Sequence, residues 1–269
     1  MKIAIVGGTH GNEPVGIEVI RHLDRKPPLG AKNDFDTFWA NPKAYEQQKR
    51  FVDCDLNRTF GKNGRSHGYE EGRSKELSEQ IEGNYEFILD LHTTTSNMGI
   101  TAILTQTDPV TRQAAAYLKS LHPDLILIET IRTDDDCCYV CNMAPSGFIF
   151  EVGPVANNVI RYDLFMKVYD MVSDLICWDF KGDIDLASVE YYKSYDDIKI
   201  PPGYYVHPER ENRDFVAIKP GDPLFVDAEG KVISHEGPET VWPMFINEAA
   251  YQNARLGMTL SHKRTGFPT

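Results

Sequence analysis

The chain has 269 residues, of which 41% are hydrophobic and 25% are charged, proportions typical of a globular protein with one large or two smaller domains. Its 28 basic and 40 acidic residues give a formal net charge of −12. Because this balance leaves no surplus of cations to displace the counterions of a nucleic acid or to bind an anionic membrane, the composition argues against both kinds of partner.

Strand-like and helix-like segments alternate along residues 1–180. Helices are predicted to open near Pro14, to run from about Pro109 to Leu121, and to run from about Tyr162 to Trp178. Such alternation is typical of a layered α/β domain built on a largely parallel sheet. The apolar strand candidates cover residues 2–7, 35–40, 86–91, 100–105, 125–130 and 147–152.

The pattern changes over residues 181–269, where helical periodicity ends. Turns rich in proline and glycine separate short strand-like pieces in this part of the chain. We therefore predict a smaller β-rich domain over residues 181–269, after an α/β domain over residues 1–180. The strand-like pieces cover residues 189–195, 204–207, 215–218, 224–227 and 231–234.

The start of the chain and its cysteines bear on the compartment. Met1 leads straight into the first strand, without a signal peptide, and no apolar run approaches the ~18 residues of a membrane span. We therefore expect a cytoplasmic protein, in which five cysteines, an odd number, are reduced thiols. Cys138 and Cys141 also have the C-x-x-C spacing of a redox or metal pair, which is the alternative to plain loop thiols.

Two potential metal ligands follow the first predicted strand. His10 and Glu13 are three residues apart, so both can point at one zinc ion from a single loop or first helical turn. His92 follows another strand-like run and is the best candidate for a third ligand. If the two strands are neighbours in one sheet, all three groups meet outside the carboxyl ends of the strands.

Two carboxylates lie close to these candidates. Asp90 is two residues before His92 and points to the same side of a strand, so it either orients that imidazole or caps a loop. Glu151 ends the apolar run Phe148–Phe150, where an unpaired charge is costly. It is either a strand-end residue that faces solvent or a general base beside a metal-bound water.

A third group of polar residues lies between residues 49 and 58. Arg50 and Arg58 carry guanidinium groups, which recognise carboxylates and stabilise oxyanions, and Asn57 offers an amide. Aspartates at 53 and 55 are mixed among them. The same mixture is found in solvated surfaces and internal ion pairs, so this segment by itself does not identify a site.

Seven segments, taken together and in order, resemble the aspartoacylase and succinylglutamate desuccinylase family of zinc hydrolases. The resemblance runs nearly from end to end and implies a carboxypeptidase-like α/β/α domain, followed by a β-rich domain that helps to enclose the site. The segments are Gly8–Glu13, Asn41–Ala44, Asp53–Arg58, Asp90–Gly99, Glu151–Pro154, Pro220–Phe225 and Phe245–Tyr251.

The resemblance also implies roles for individual residues. His10, Glu13 and His92 would bind one Zn²⁺ per subunit. Glu151 would act first as general base and then as general acid, and Arg50 would polarise the carbonyl of the substrate.

Three further residues are implied in substrate binding. Asn57 and Arg58 would bind the carboxylates of an amino acid, and Tyr251 would reach the pocket from the second domain. The expected reaction is zinc-dependent hydrolysis of a small N-acyl amino acid, with N-acetyl-L-aspartate as the leading substrate. The sequence leaves open whether the protein forms a homo-oligomer.

One stretch departs from the family. Relatives bind substrate with a tyrosine and an arginine just upstream of the Glu-Val-Gly-Pro motif, whereas here Cys141 occupies the arginine position. Tyr139 would substitute for the tyrosine after a small shift, and Arg132 is the nearest arginine. Loss of a bidentate contact to a buried carboxylate typically costs about 2–5 kcal/mol, so this stretch weakens the case for an aspartate side chain.

Other functions compatible with the motifs differ in substrate or in activity. An acylase for N-acyl aromatic amino acids or mercapturates would use the same zinc chemistry. A zinc carboxypeptidase fits less well, because a narrow pocket with two arginines suits small substrates. An inactive metal-binding module is disfavoured, because the three candidate ligands and Glu151 are all present.

Overall fold

The computed structural model describes residues 1–61, 64–130 and 138–268. The α-helices are α1 (Pro14–Arg25), α2 (Pro42–Glu46), α3 (Gly68–Ile81), α4 (Pro109–Leu121) and α5 (Tyr162–Cys177). Short 3₁₀ helices cover Leu56–Arg58, Val140–Met143 and Ala249–Ala254. The strands are β1 (Lys2–Gly7), β2 (Asp34–Trp39), β3 (Phe87–Thr93), β4 (Gly99–Leu104), β5 (Leu125–Glu129), β6 (Ser146–Gly153), β7 (Glu190–Lys199), β8 (Tyr204–Val206), β9 (Pro223–Asp227), β10 (Val232–Ser234), β11 (Trp242–Met244) and β12 (Leu256–Thr265).

A nine-stranded sheet organises the molecule, with strand order β11-β12-β7-β5-β4-β6-β3-β1-β2. The strands that were expected to carry the site are neighbours: β1 pairs in parallel with β3, and β3 pairs in parallel with β6. The sheet is not wholly parallel, since β4 runs antiparallel to β6.

Helices cover both faces of this sheet, which confirms the predicted α/β/α layering. Strand β3 contributes side chains to the cores on both faces of the sheet, because successive side chains of a strand point to opposite faces. Leu89 and Leu91 join the core under α1, α4 and α5, whereas Ile88 joins the core under α3. Asp90 and His92 therefore point toward the same face as Ile88.

The helices predicted to open near Pro14, to run from about Pro109 to Leu121 and to run from about Tyr162 to Trp178 are present as α1, α4 and α5, whereas α2 and α3 were not predicted. Few apolar residues mark α3, because only Leu77 and Ile81 face the core among many charged and small residues. Helix α3 nevertheless covers the sheet face on which the candidate site lies.

The C-terminal part of the chain is β-rich, as predicted, and its strands divide between two sheets. Strands β8, β9 and β10 form a separate three-stranded sheet, while β7, β12 and β11 extend the main sheet. The predicted strand at 215–218 is wrong. Ile218 makes only an isolated bridge to Val241, and Phe215 has a φ of 60°, which bends the chain out of an extended conformation.

No helix in the described ranges has the length and apolar character needed to cross a membrane. The division between the two domains near residue 180 stays a prediction.

Candidate active site

The loop after β1 brings His10 and Glu13 together. Gly8 has a φ of 70°, a conformation that favours glycine, and it turns the chain at the end of the strand. A Cβ on Gly11 would lie 2.2 Å from the backbone carbonyl carbon of Ala44, so only glycine fits this close approach. Glu13 then occupies the N-cap position of α1, directly before Pro14.

The three predicted metal ligands meet at one point. His10 Nδ1 lies 2.8 Å from one carboxylate oxygen of Glu13, and His92 Nδ1 lies 2.9 Å from the other. The two Nδ1 atoms are 3.0 Å apart. All three residues are buried, and among the described residues they are the grouping that can hold a metal ion. Cys138 and Cys141 are not part of such a grouping.

The outer nitrogen of each imidazole is bound to a carboxylate. His10 Nε2 lies 2.9 Å from Asp55 Oδ1, and His92 Nε2 lies 2.7 Å from Asp90 Oδ2. Because a carboxylate only accepts hydrogen bonds, each Nε2 carries a proton, and a neutral ring then has its lone pair on Nδ1. Of the two roles considered for Asp90, the geometry supports orientation of the His92 ring, and Asp55 is placed in the same way against the His10 ring.

This donor set fits a cation. When both rings are neutral, their Nδ1 lone pairs face the Glu13 carboxylate, and this arrangement is repulsive unless a positive charge lies between them. Burial alone would raise the pKa of Glu13, but His10 and His92 hold it well below its usual range, so the group is a carboxylate. Burial alone would lower the pKa of His92, but Asp90 and Glu13 raise it, which shows how strongly the site attracts positive charge. Imidazole nitrogen and carboxylate oxygen are ligands that zinc prefers.

Glu151 lies beside this group. In the parallel pairing of β3 with β6 it is directly opposite His92, so its side chain emerges on the same face. It lines the cavity that contains the three ligands, and no hydrogen bond holds its carboxylate within the described part of the chain. Burial, reinforced by the charge of Glu13, raises the pKa of Glu151 to about 8. The carboxyl therefore faces the cavity with a proton affinity suited to proton transfer near neutral pH.

Arg50 is held at the edge of the ligand group. Its Nη1 donates to Glu13 Oε1 at 3.0 Å, and its Nε and Nη2 donate to Asp55 Oδ2 at 3.3 and 3.2 Å. Burial alone would lower the pKa of Arg50, but the charges of Glu13 and Asp55 raise it. The guanidinium is thus a fixed cation beside the site. An internal ion pair was one explanation for the charged residues of this segment, and Arg50 and Asp55 form such a pair.

Asn57 and Arg58 follow in a 3₁₀ helix that Asp55 caps. The Asn57 amide is largely occupied, since its Nδ2 donates to Asp90 Oδ2 at 2.9 Å and its Oδ1 accepts from the Val140 backbone at 2.9 Å. Arg58 lies over the ring of Tyr139, 4.9 Å from its centre, and donates to a backbone oxygen. No carboxylate pairs with Arg58 among the described residues, so its charge is open to the cavity.

The C-terminal domain contributes Tyr251 and Glu248. Burial raises the pKa of Tyr251 to about 12, so its hydroxyl stays protonated, and it lies close enough to Arg58 and Arg50 to feel their charges. Glu248 accepts hydrogen bonds from the loop that follows His92. Glu248 lies in one of the segments that resemble the family, but no local pattern indicates its role, because its partner is about 150 residues away in the sequence.

These residues line a cavity of about 640 Å³. Its described cationic side chains are those of Arg50 and Arg58. One wall is apolar and includes Ile103, Ile128, Ile149, Met244 and Phe245. Two acidic residues of β7, Asp196 and Asp197, also line it.

The stretch that departs from the family lies near this cavity. Cys141 is fully buried, with its sulfur 3.3 Å from the Thr105 hydroxyl, so it offers no charge to a substrate. Tyr139 does line the cavity. Arg132, the nearest arginine in the sequence, lies outside the described residues.

A buried His–Glu–His group at the carboxyl edge of an α/β/α sheet, next to a carboxyl of raised pKa, is typical of metal-dependent hydrolases. The sequence profile of the succinylglutamate desuccinylase/aspartoacylase catalytic domain matches residues 1–176. That of the AstE/AspA barrel-sandwich hybrid domain matches residues 187–263. The chain therefore belongs to the succinylglutamate desuccinylase/aspartoacylase family.

Individual relatives agree with this assignment. The chain is 37% identical to a probable aspartoacylase of Trichodesmium erythraeum (strain IMS101), over 98% of this chain and 97% of that protein. It is 31% identical to the N-acyl-aromatic-L-amino acid amidohydrolase (carboxylate-forming) B of Danio rerio, over 97% of this chain and 92% of that protein. The crystal structure of murine aminoacylase 3 superposes with a TM-score of 0.89 at 28% identity, covering 100% of this chain and 97% of that one. These similarities place the chain among the hydrolases of the acylase family.

Proposed function

We propose that the protein is a zinc-dependent amidohydrolase that releases the amino acid from an N-acyl-L-amino acid, with N-acetyl-L-aspartate as the leading substrate. The observation that carries this proposal is the convergence of His10 Nδ1, His92 Nδ1 and the Glu13 carboxylate in a cavity that Glu151 also lines. The names of the relatives support deacylation over other reactions of metal-dependent hydrolases.

Zinc on these ligands would supply a Lewis acid and would lower the pKa of a bound water toward about 7. Glu151 would take a proton from the attacking water, a role supported by its position in the cavity and opposite His92 in the sheet. The same carboxyl then returns the proton to the nitrogen of the leaving amine. The water oxygen forms a bond to the carbonyl carbon, the C–N bond breaks, and the products are a carboxylate and the free amino acid.

Arg50 would stabilise the carbonyl oxygen as it gains negative charge. Its contacts with Glu13 and Asp55 hold the guanidinium rigidly next to the ligand group. A donor fixed before the reaction loses no free energy to reorganisation, which is why such groups stabilise transition states effectively.

Arg58 would bind the α-carboxylate of the substrate. Its guanidinium faces the cavity without a paired carboxylate among the described residues, and the Tyr139 ring supports it from one side. Tyr251, protonated at neutral pH, would donate a further hydrogen bond to the bound substrate.

A second candidate substrate class is favoured by the apolar wall of the cavity. N-acetyl-L-aspartate carries two carboxylates, whereas Arg50 is already bound by Glu13 and Asp55. The isoleucines at 103, 128 and 149, which line the cavity, would suit an aromatic side chain better than a second carboxylate. N-acyl aromatic amino acids are therefore the alternative.

A panel of N-acetyl-L-amino acids, with N-acetyl-L-aspartate and N-acetyl-L-phenylalanine as its central pair, decides between these substrates. The proposal expects N-acetyl-L-aspartate among the substrates with the highest kcat/KM. A clear preference for N-acetyl-L-phenylalanine would select the second candidate. Cleavage of peptides without turnover of any small N-acyl amino acid would refute the proposed function and favour a carboxypeptidase.

A further inference from the structure

A buried carboxylate that the mechanism above does not use lies behind the active-site loop. Glu70 is in the first turn of α3 and is fully buried, with 0% of its surface exposed. A buried charge is costly unless it is well hydrogen-bonded, so its environment must compensate.

Four donors surround the Glu70 carboxylate. Its Oε1 accepts from the Val52 backbone at 2.7 Å and from Asn41 Nδ2 at 3.1 Å. Its Oε2 accepts from the backbone of Asp53 at 2.9 Å and of Cys54 at 3.2 Å. Three consecutive backbone N–H groups are thus directed at one side chain.

The contact between α3 and this loop is reciprocal. Asp53 Oδ2 accepts a hydrogen bond from the backbone N–H of Tyr69, in the first turn of α3, at 2.7 Å. In return, the Glu70 carboxylate accepts a hydrogen bond from the backbone N–H of Asp53. Gly68, with a φ of 64°, permits this approach, because a Cβ there would lie 2.2 Å from Asp53 Oδ2. The helix N-terminus also favours the negative charge of Glu70.

The loop that Glu70 binds is the segment between two residues of the active site. Arg50 precedes it and donates to Glu13, and Asp55 follows it and accepts from both Arg50 and His10. Arg50 is also fixed on its other side, where its backbone oxygen accepts from Gly11 at 3.1 Å.

We infer that Glu70 is a positioning residue for Arg50: it fixes residues 52–54 and thereby holds the guanidinium where the carbonyl oxygen of the substrate gains charge. This inference rests on the proposed function, since it assumes the proposed role of Arg50. In Glu70→Gln, an NH₂ group replaces one acceptor oxygen, so at least one backbone N–H group of the loop loses its partner. A displacement of about 1 Å in a residue that stabilises the transition state can cost about 100-fold in rate.

Steady-state kinetics of Glu70→Gln, with Glu79→Gln as matched control, test the inference. Glu79 is an exposed residue of the same helix, so its substitution makes the same chemical change away from the loop. We expect kcat to fall about 10- to 100-fold in Glu70→Gln while KM changes less than about threefold, because the lost interaction acts in the transition state. Glu79→Gln should match the wild type.

The double variant Glu70→Gln/Arg50→Ala separates positioning from general destabilisation. If Glu70 acts through Arg50, the Glu70 substitution lowers kcat less than about twofold once Arg50 is absent. An equal loss of kcat in both backgrounds, or wild-type kcat in Glu70→Gln, would overturn the inference. If Glu70→Gln does not fold, Glu70→Asp, which keeps the charge and withdraws it by one methylene, is tested in the same way and against the same outcomes.

Hydrogen exchange gives a readout that does not depend on turnover. The backbone amides of Val52, Asp53 and Cys54 should exchange faster in Glu70→Gln and at the wild-type rate in Glu79→Gln. If the wild-type protein cleaves no N-acyl amino acid, the proposed function fails, and exchange alone decides whether Glu70 fixes the loop. If the wild type is active and Glu70→Gln keeps its kcat, only the inference fails.

Discussion

Glu248 and Thr95 are joined by two hydrogen bonds that connect the C-terminal domain to the active-site loop. The backbone N–H of Thr95 donates to Glu248 Oε2 at 2.9 Å, and its hydroxyl donates at 3.0 Å. The Thr94 hydroxyl and both the N–H and hydroxyl of Ser96 donate to the same oxygen. The other oxygen, Oε1, accepts from Ala250 in the 3₁₀ helix that carries Tyr251. One carboxylate therefore fixes the loop after His92 and the segment that brings Tyr251 to the cavity.

Glu248→Gln should weaken both stability and catalysis. The glutamine side chain keeps only one acceptor oxygen. Its NH₂ group must therefore face either the donors of the loop after His92 or the N–H of Ala250, and those donors lose their acceptor. Each buried donor left unpaired costs about 1–3 kcal/mol, and we expect the free energy of unfolding to fall by about 2 kcal/mol. Displacement of Tyr251 should lower kcat/KM about tenfold or more. Urea unfolding and steady-state kinetics measure the two effects, with the exposed Glu236→Gln as control. Wild-type values of both quantities in Glu248→Gln would contradict this account.

Arg58→Ala should reduce turnover mainly of substrates that carry an α-carboxylate. Loss of a charge contact to a buried carboxylate costs about 2–5 kcal/mol, so kcat/KM for an N-acyl amino acid should fall at least about 30-fold. For the corresponding N-acyl amino acid amide, which has no carboxylate, kcat/KM should fall much less. The same loss for both compounds would show that Arg58 has another role.

Glu151→Gln should abolish proton transfer and leave metal binding intact. The amide cannot accept the proton of the attacking water, and general acid–base catalysis typically contributes about 100- to 10,000-fold to turnover. We expect kcat to fall within that range while the zinc content of the purified protein stays at the wild-type level. Near-normal turnover of a zinc-loaded Glu151→Gln protein would refute the assignment of Glu151 as base.

Asp214 predicts a pH dependence of stability. Burial raises the pKa of Asp214 to about 6 from an ordinary value of 3.8. The folded protein therefore retains a proton that the unfolded chain releases, and stability is lost as the pH rises from about 4 to about 6. The shift corresponds to at most about 3 kcal/mol.

Asp214→Asn should remove this dependence, because the amide never ionises. The difference in free energy of unfolding between wild type and variant should move in favour of the variant between pH 4 and pH 7, measured by chemical denaturation at each pH. Asp183→Asn, on the exposed surface, is the control and should follow the wild type. A constant difference across this range would contradict the raised pKa.

The ligand residues were predictable from the sequence because their signals are local. His10 and Glu13 are three residues apart after an apolar strand. Asp90 and His92 are two residues apart in a second strand, so their side chains point to the same face. The pairing of β1 with β3, which brings these groups together, was a condition of the prediction and is given by the structure. Physical rules about short spacings were sufficient for this part of the site.

The remaining parts of the site depend on contacts between distant residues, which a pattern search does not detect. Glu248 binds residues more than 150 positions earlier, and Glu70 binds backbone groups, which carry no sequence signal. Strands β7 and β12 lie in the part of the chain that was predicted to form a separate domain, although they extend the main sheet. A strand's sequence indicates its two faces, but it does not indicate which sheet it joins.

The central claim is that hydrolysis requires a zinc ion at His10, Glu13 and His92. The most direct test is the rate of amine release from the best N-acyl amino acid substrate, measured for metal-depleted protein before and after addition of one equivalent of zinc. The account predicts negligible turnover without metal and recovery of the full rate with zinc. Equal turnover in the metal-depleted and zinc-restored protein would contradict it.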